Sequence, residues 1–183
     1  MTGETARDED AIDAALIERW TGGDERAATE LVARHAPALA RFAANLGARD
    51  ETEELVQDTL VRAFGSLDAF RGESSLRTWL FTIERRLFLD RRRAEKRRRE
   101  TGDVEEHEPA TASDPLDALV AAETEGKVRE AVERLTPTQR EVFTLRVNEG
   151  LAYREIAEIV GSTEGAARVH YHNAMRAVKE FLR

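Results

Sequence analysis

An all-helical protein of two small domains is the expectation that this sequence raises, and three observations carry it. Ala, Leu, Glu and Arg are abundant among the 183 residues and only four are Pro, a usage that favours helix. Apolar residues recur at intervals of three and four over long windows, and no run of β-branched residues alternates as a strand would. The segment from Glu100 to Pro115, ETGDVEEHEPATASDP, is acidic, holds two Pro and has almost no large apolar residue, so it reads as a linker without a core. The expected units are a flexible N-terminus over 1–9, a helical bundle over 10–99, the acidic linker over 100–115 and a second helical unit over 116–183.

The first helix is expected over Asp10 to Thr21, with Ile12, Leu16, Ile17 and Trp20 as its apolar stripe and Gly22-Gly23 as its stop. Asp24 then caps a second helix that places Ala27, Leu31, Val32 and His35 on one side. After Pro37, the segment Ala38 to Leu46 continues or restarts that helix with Leu39, Phe42 and Leu46 facing inward. Asp50 to Leu67 forms a third, with Leu55, Val56, Leu60, Ala63, Phe64 and Leu67 at helical spacing and acids in its first turns, where they favour the helix dipole. A loop from Asp68 to Ser75 follows. Its Phe70-Arg71-Gly72 tip suits close approach to a ligand.

The stretch from Ser74 to Arg99 is unusual in joining a core stripe to a dense cationic surface. Leu76, Trp79, Leu80, Ile83 and Leu87 share one helical face. The remaining positions carry Arg77, Arg85, Arg86, Arg91, Arg92, Arg93, Lys96, Arg97, Arg98 and Arg99, against only Glu84, Asp90 and Glu95. A merely solvated helix intersperses acids with bases in i,i+4 pairs, whereas like charges at that spacing repel, so this surface suits a polyanion. Trp79 alone is weaker evidence, because a Trp at core spacing is more often packed than stacked on a base.

The second unit begins with a helix from about Leu116 to Leu135. Thr136-Pro137-Thr138-Gln139 is a capping-box pattern with Pro at the first helical position. The helix that it opens runs to Glu149, with Val142, Phe143 and Leu145 to Val147 supplying apolar contact, and stops at Gly150. A short helix from Tyr153 to Val160, a Gly161-Ser162 turn and a long helix from Glu164 to Leu182 complete a helix-turn-helix pattern. Ala167, Tyr171, Ala174 and Val178 face inward on the last helix. Arg168, Val169, His172, Asn173 and Arg176 face outward, with His170 beside them, and the polar ones can donate to phosphates or base edges. An ordinary helical hairpin with a polar second helix fits the same pattern; the cationic helix upstream favours DNA binding.

Several classes are excluded or unsupported. The chain has no Cys, which removes disulfides and thiolate metal sites. His170 and His172 lie two apart on a helix and cannot share a metal as an i,i+4 pair would, and His35 reads as a packed or surface residue. No Gly-rich phosphate loop, nucleophile elbow or zinc-protease motif is present, so neither an enzyme nor a cofactor is expected. No apolar run approaches the roughly 20 residues that span a bilayer, and the N-terminus is acidic rather than a signal peptide; a cytoplasmic protein is expected. The net charge of −8 conceals segregation. Residues 85–99 carry nine cations and two acids, and residues 100–125 carry nine acids and no Lys or Arg. The local patch, not the total charge, selects a partner.

Taken together, the motifs EELVQDTLVRAF (Glu53 to Phe64), FRGESSLRTWLFTIERRLFLDRRR (Phe70 to Arg93), LTPTQREVFTLR (Leu135 to Arg146) and GLAYREIAEIVGSTEGAARVHYHNAM (Gly150 to Met175) resemble bacterial sigma factors of the extracytoplasmic-function class in the sigma-70 family. The resemblance covers about Asp10 to Arg99 and Leu116 to Arg183. It implies an initiation factor with a region 2-like bundle and a region 4-like helix-turn-helix, binding core RNA polymerase through its β and β′ subunits and directing it to promoter DNA. By that likeness Glu54, Val56, Gln57, Asp58 and Leu60 dock on polymerase. Phe70, Arg71, Ser74, Ser75, Arg77, Trp79, Arg85, Arg86 and Arg91 engage and open the −10 element, and Thr163, Glu164, Arg168, His170, His172, Asn173 and Arg176 read the −35 element. Capturing an unstacked base favours a loop beside a cationic surface, while closed duplex is read by a helix in the major groove. Such proteins often have an anti-sigma partner; neither a small-molecule substrate nor membrane insertion is implied.

Three departures from the family pattern stand out. Arg86 occupies the place of Asn in the family's Ile-Ala-Arg-Asn segment; Ala152 stands where Ser or Thr often caps the short helix, a loss of about 1 kcal/mol if nothing substitutes; and His170, Asn173 and Met175 replace residues that are often basic. Fewer cations weaken phosphate attraction. The residues therefore leave two other readings: a stand-alone transcription regulator, which the net acidity disfavours, and an interaction protein that binds polymerase or DNA without directing initiation. The acidic stretch Glu100 to Glu125 is further placed to fold back over the cationic helix, with ordinary solvation of the linker as the alternative.

Overall fold

The computed structural model describes residues 3–48, 50–100 and 119–183. Eight α-helices and one 3-10 turn make up its regular structure, with no strand among the described residues. Helix α1 covers Gly3–Thr21 and begins seven residues before Asp10. Helix α2 runs unbroken over Glu25–Leu46 with Pro37 inside it, so the segment after the proline continues the helix. Asp24 caps it, accepting the Arg26 N–H at 3.0 Å. Helix α3 covers Thr52–Gly65, followed by the 3-10 turn Leu67–Ala69, and α4 covers Leu76–Glu100. Residues 101–118, which include most of the acidic linker and its expected folding back, lie outside the described residues.

Helix α5 is Leu119–Glu133, α6 is Pro137–Val147, α7 is Tyr153–Val160 and α8 is Glu164–Phe181. The Thr136 hydroxyl accepts the Gln139 N–H while the Gln139 amide oxygen accepts the Thr136 N–H, which satisfies two otherwise orphaned donors. Gly161 stops α7 with φ 68°, a left-handed conformation that glycine adopts without a Cβ penalty. Thr163 then caps α8 by accepting the Ala166 N–H at 3.2 Å. Helix α6 ends at Val147 rather than Glu149, and Val147 is exposed.

In the first half α2 packs on α1, α3 and α4; in the second α8 packs on α5, α6 and α7. The halves then join, α7 against α4 and α6 against α2. One core runs through both. It includes Leu31, Leu39, Phe42, Leu80 and Phe81 from the first half and Val142, Leu145, Ile156 and Ile159 from the second. Phe42 and Phe81 meet edge-on with centroids 5.1 Å apart, and truncating either to Ala is expected to cost about 3–5 kcal/mol. His35 is packed, with its ring nitrogen 2.9 Å from the buried Asp13 carboxylate, which also accepts from Arg34 at 2.9 Å.

The joining of the halves changes which face of α4 is inside. Leu76 and Leu80 of the expected stripe are buried, while Trp79, Ile83 and Leu87 are half-buried. Thr78, Phe81 and Glu84 are buried as well. A helix with partners on two sides buries more than the one stripe that its own periodicity announces.

Candidate nucleic-acid and polymerase interfaces

The cationic helix is occupied at its N-terminal half by carboxylates from the second half of the chain. Arg85 Nε donates to Glu141 Oε2 at 2.6 Å. Glu149, whose side chain is fully buried, accepts from Arg41 Nε at 3.0 Å, from Arg41 Nη2 at 3.2 Å and from Arg77 Nη2. Gly150, with φ 68°, lets the chain turn directly after Glu149 and carry it into this contact. At the start of α4 the Ser75 hydroxyl donates to Thr78 Oγ1 at 2.9 Å, and Thr78 donates to Glu155 Oε1 at 3.1 Å. The other oxygen of Glu155 accepts the Ala152 N–H at 2.8 Å, so half of a capping box survives where Ala152 has no oxygen of its own.

Glu84 lies on the same helix, fully buried and with both carboxyl oxygens unpartnered. Burial first, and then the charge of Glu149, push its carboxyl up to about 9. It is therefore protonated at neutral pH. Sequence reasoning placed Glu84 among the surface acids of a basic helix, and the second packing face of α4 overturns that.

The loop before α4 is anchored to it. Phe70 is half-buried with its ring 5.1 Å from that of Trp79, whereas Arg71 is exposed and Ser74 half-buried. Ser75 precedes the helix and accepts the Thr78 N–H at 3.1 Å, an N-cap contact. Further along, Arg86, Arg92 and Arg93 are exposed. Arg91 instead turns back onto α3, donating to Glu51 at 3.2 Å, Glu54 at 3.1 Å and Asp58 at 2.6 Å. Partial burial lowers its pKa, but Asp58, Glu51 and Glu54 outweigh this and raise it. Arg91 thus lies with Glu54 and Asp58, not with Arg77 and Arg85.

Glu54, Gln57 and Asp58 are exposed on α3, with Val56 buried and Leu60 half-buried beneath them. Val56, Gln57 and Leu60 also line a groove whose opposite wall is Val32, Ala33, Ala36, Pro37 and Ala40 of α2. Pro37 lacks the N–H that would pair with the Ala33 carbonyl, so that oxygen on the groove wall lacks its helical donor. Nothing in the helix pattern of α2 announced this wall.

On α8, Thr163, Glu164, Arg168, His172 and Arg176 are exposed and His170 and Asn173 half-buried. Glu164 accepts from Arg168 at 2.6 Å, and the Arg168 guanidinium sits 4.8 Å from the centroid of the Tyr153 ring. Arg146 lies at the same distance from that ring, which ties α7 to both neighbouring helices. Val169 stands exposed among the polar groups, where a methyl-bearing base edge is one contact it could make.

These elements coincide with known sequence families. Residues 31–98 match sigma-70 region 2 and residues 125–178 match sigma-70 region 4. The ECF RNA polymerase sigma-E factor of Haemophilus influenzae is 29% identical over 180 residues, covering 93% of this chain and 95% of the relative; that of Escherichia coli K12 is 29% identical over 179 residues, covering 93% and 94%. Among solved structures, the sigma factor RpoE of Bartonella quintana, in complex with the anti-sigma factor NepR, superposes with a TM-score of 0.67 at 30% identity, covering 84% of this chain and 95% of that one. CnrH, in complex with the cytosolic domain of CnrY, gives 0.66 at 27% identity over 93% and 97%. With both regions present in order on one helical chain, the protein belongs to the extracytoplasmic-function sigma factors of the sigma-70 family, transcription initiation factors that direct RNA polymerase to promoters.

Proposed function

We propose that three faces of the chain divide initiation among them. The α2–α3 groove, lined by Val56, Leu60, Glu53 and Gln57, docks core RNA polymerase together with Glu54 and Asp58 on the adjoining surface of α3, where they pair with Arg91. The Phe70–Ser75 loop and α4, through Arg77, Trp79, Arg85 and Arg86, hold the separated strand of the −10 element, and Arg91 joins them on leaving Glu51, Glu54 and Asp58. Helix α8 enters the major groove of the −35 element with Arg168, His172 and Arg176 leading and Thr163, Glu164, His170 and Asn173 flanking. The units are 10–99 and 116–183, joined by 100–115. The chain acts as a non-catalytic subunit in the cytoplasm. As RpoE is held by NepR, a dedicated anti-sigma protein is its natural antagonist.

One observation carries the division. An apolar acid-rimmed groove, an arginine-bearing helix and an exposed polar helix after a glycine turn lie on separate elements, and each suits one kind of surface: protein, single strand and duplex. Two small domains on one chain then gain from effective concentration when both promoter elements are engaged. The test is runoff transcription with purified core polymerase on a pooled genomic template. New discrete starts that require the chain, and that vanish with an Arg168→Ala, Arg176→Ala double substitution at promoters dependent on their −35 element, are expected. Core binding without any new start would refute the reading.

A further inference from the structure

We propose that the backbone carbonyl of Ala33, left without a helical donor by Pro37, is a recognition element of the α2–α3 groove: it accepts a hydrogen bond from an arginine or lysine on the polymerase helix that docks there, and so selects that helix. The inference rests on the reading of this groove as the polymerase-docking face and deepens it by naming a contact and the partner chemistry that meets it.

Proline in a helix interior removes one hydrogen bond and sets its ring against the carbonyl four residues back, a larger cost than any other residue imposes there. Helix α2 nonetheless runs unbroken over Glu25–Leu46 with Pro37 inside it. Packing on the other side carries the helix through, since Leu31, His35, Ala38, Leu39 and Phe42 are buried. Pro37 takes no part in that packing. It is exposed, as is Ala33 one turn before it, and both stand on the groove wall. A break in the hydrogen-bond ladder on the outer face of a helix adds nothing to the core and leaves an acceptor where a partner can reach it. Ala36 and Ala40 share the wall, and side chains this small let a partner helix come close to the α2 backbone.

Docking turns the carbonyl into a discriminator. An exposed carbonyl is solvated; a docked helix removes that solvent. An acceptor buried with no donor costs more than the hydrogen bond it would make is worth, so a helix that presents only an apolar side chain at this point is rejected. The charge of the donor follows from the groove's own residues. Glu53 is the one charged group among the described residues that line it, and Glu51, Glu54 and Asp58 lie on the adjoining surface of α3 with Arg91. A cation is drawn to such a surface and a carboxylate is repelled. Val56 and Leu60 line the opposite wall and take the apolar side chains beside the donor.

Isothermal titration of the full chain into purified core polymerase tests the proposal through changes at position 37. Pro37→Ala restores the N–H, which closes the Ala33 carbonyl into the helix. The variant is expected to unfold at a higher urea concentration than the parent and yet to bind core about fivefold more weakly, the worth of one hydrogen bond. Lactic acid incorporated at position 37 gives an ester link with neither the ring nor the N–H, so the carbonyl stays free. That chain should bind core as the parent does. Pro37→Ala binding as tightly as the parent would overturn the proposal. So would an ester chain that binds as weakly as Pro37→Ala, because polymerase would then be reading the proline ring and not the carbonyl. The docking assignment fails separately: if Glu53→Lys with Gln57→Lys, both exposed on α3, leaves core affinity unchanged, the groove is not the polymerase face.

Discussion

Glu84 offers the sharpest quantitative prediction. In the folded chain it titrates near 9, against 4.5 for a free glutamate. Between those values the folded state holds a proton that the unfolded state has released, so stability is greatest below about 4.5 and is lost as pH rises towards 9. Each pH unit in the window is worth about 1.4 kcal/mol, and pH 7 lies 2.5 units above the lower limit, so protonating the buried acid costs about 3.5 kcal/mol. Glu84→Gln replaces the protonated acid with a neutral group of nearly the same shape, equally unpartnered, and removes the proton from the balance. The variant should match the parent near pH 4.5 and exceed it by about 3.5 kcal/mol at pH 7, a gain of about 7–14 °C in Tm for a chain of this size. Urea unfolding of both proteins from pH 4.5 to 9 measures the difference, in which every other titrating group cancels. A pH-independent difference would show that Glu84 is not held protonated, and would refute the burial argument.

Two further predictions concern local chemistry. Ala152→Ser supplies the missing half of the α7 capping box opposite Glu155 and should raise stability by about 1 kcal/mol, read as a shift in the urea midpoint at unchanged slope. Asp13 is buried, which by itself raises its pKa, but His35 and Arg34 outweigh this and hold it below 3.8. Its contribution is therefore present above that value and lost as pH falls through the folded pKa. Asp13→Asn should lower stability by about 1.5–3 kcal/mol at pH 7 and flatten the acid limb of the profile; an acid limb identical to the parent's would show that the cluster contributes nothing.

Much of the fold was legible because its signals are local. Asp24, the Thr136–Gln139 box, Gly161 and Thr163 set helix ends through contacts within four residues, and such chemistry is written into consecutive positions. The linked motifs likewise identified the family. The candidate site was legible only by residue type. Arg77, Arg85 and Arg91 all belong to one cationic helix, yet the structure sends Arg77 and Arg85 to carboxylates of the second half and Arg91 to the acids of α3. No spacing rule separates them, because a helix position states a direction and not what waits there.

Sequence by itself determined the all-helical class, the helix-turn-helix and the concentration of cations on α4, each of which follows from periodicity, capping and charge along a continuous stretch. Tertiary structure alone decided that α4 is buried on a second face and that Glu84 is sealed without a partner. It also decided that Glu141, Glu149 and Glu155 meet a helix 56 to 77 residues away in sequence. These are non-local outcomes: which surfaces meet depends on the balance of desolvation and pairing between segments that share no local pattern.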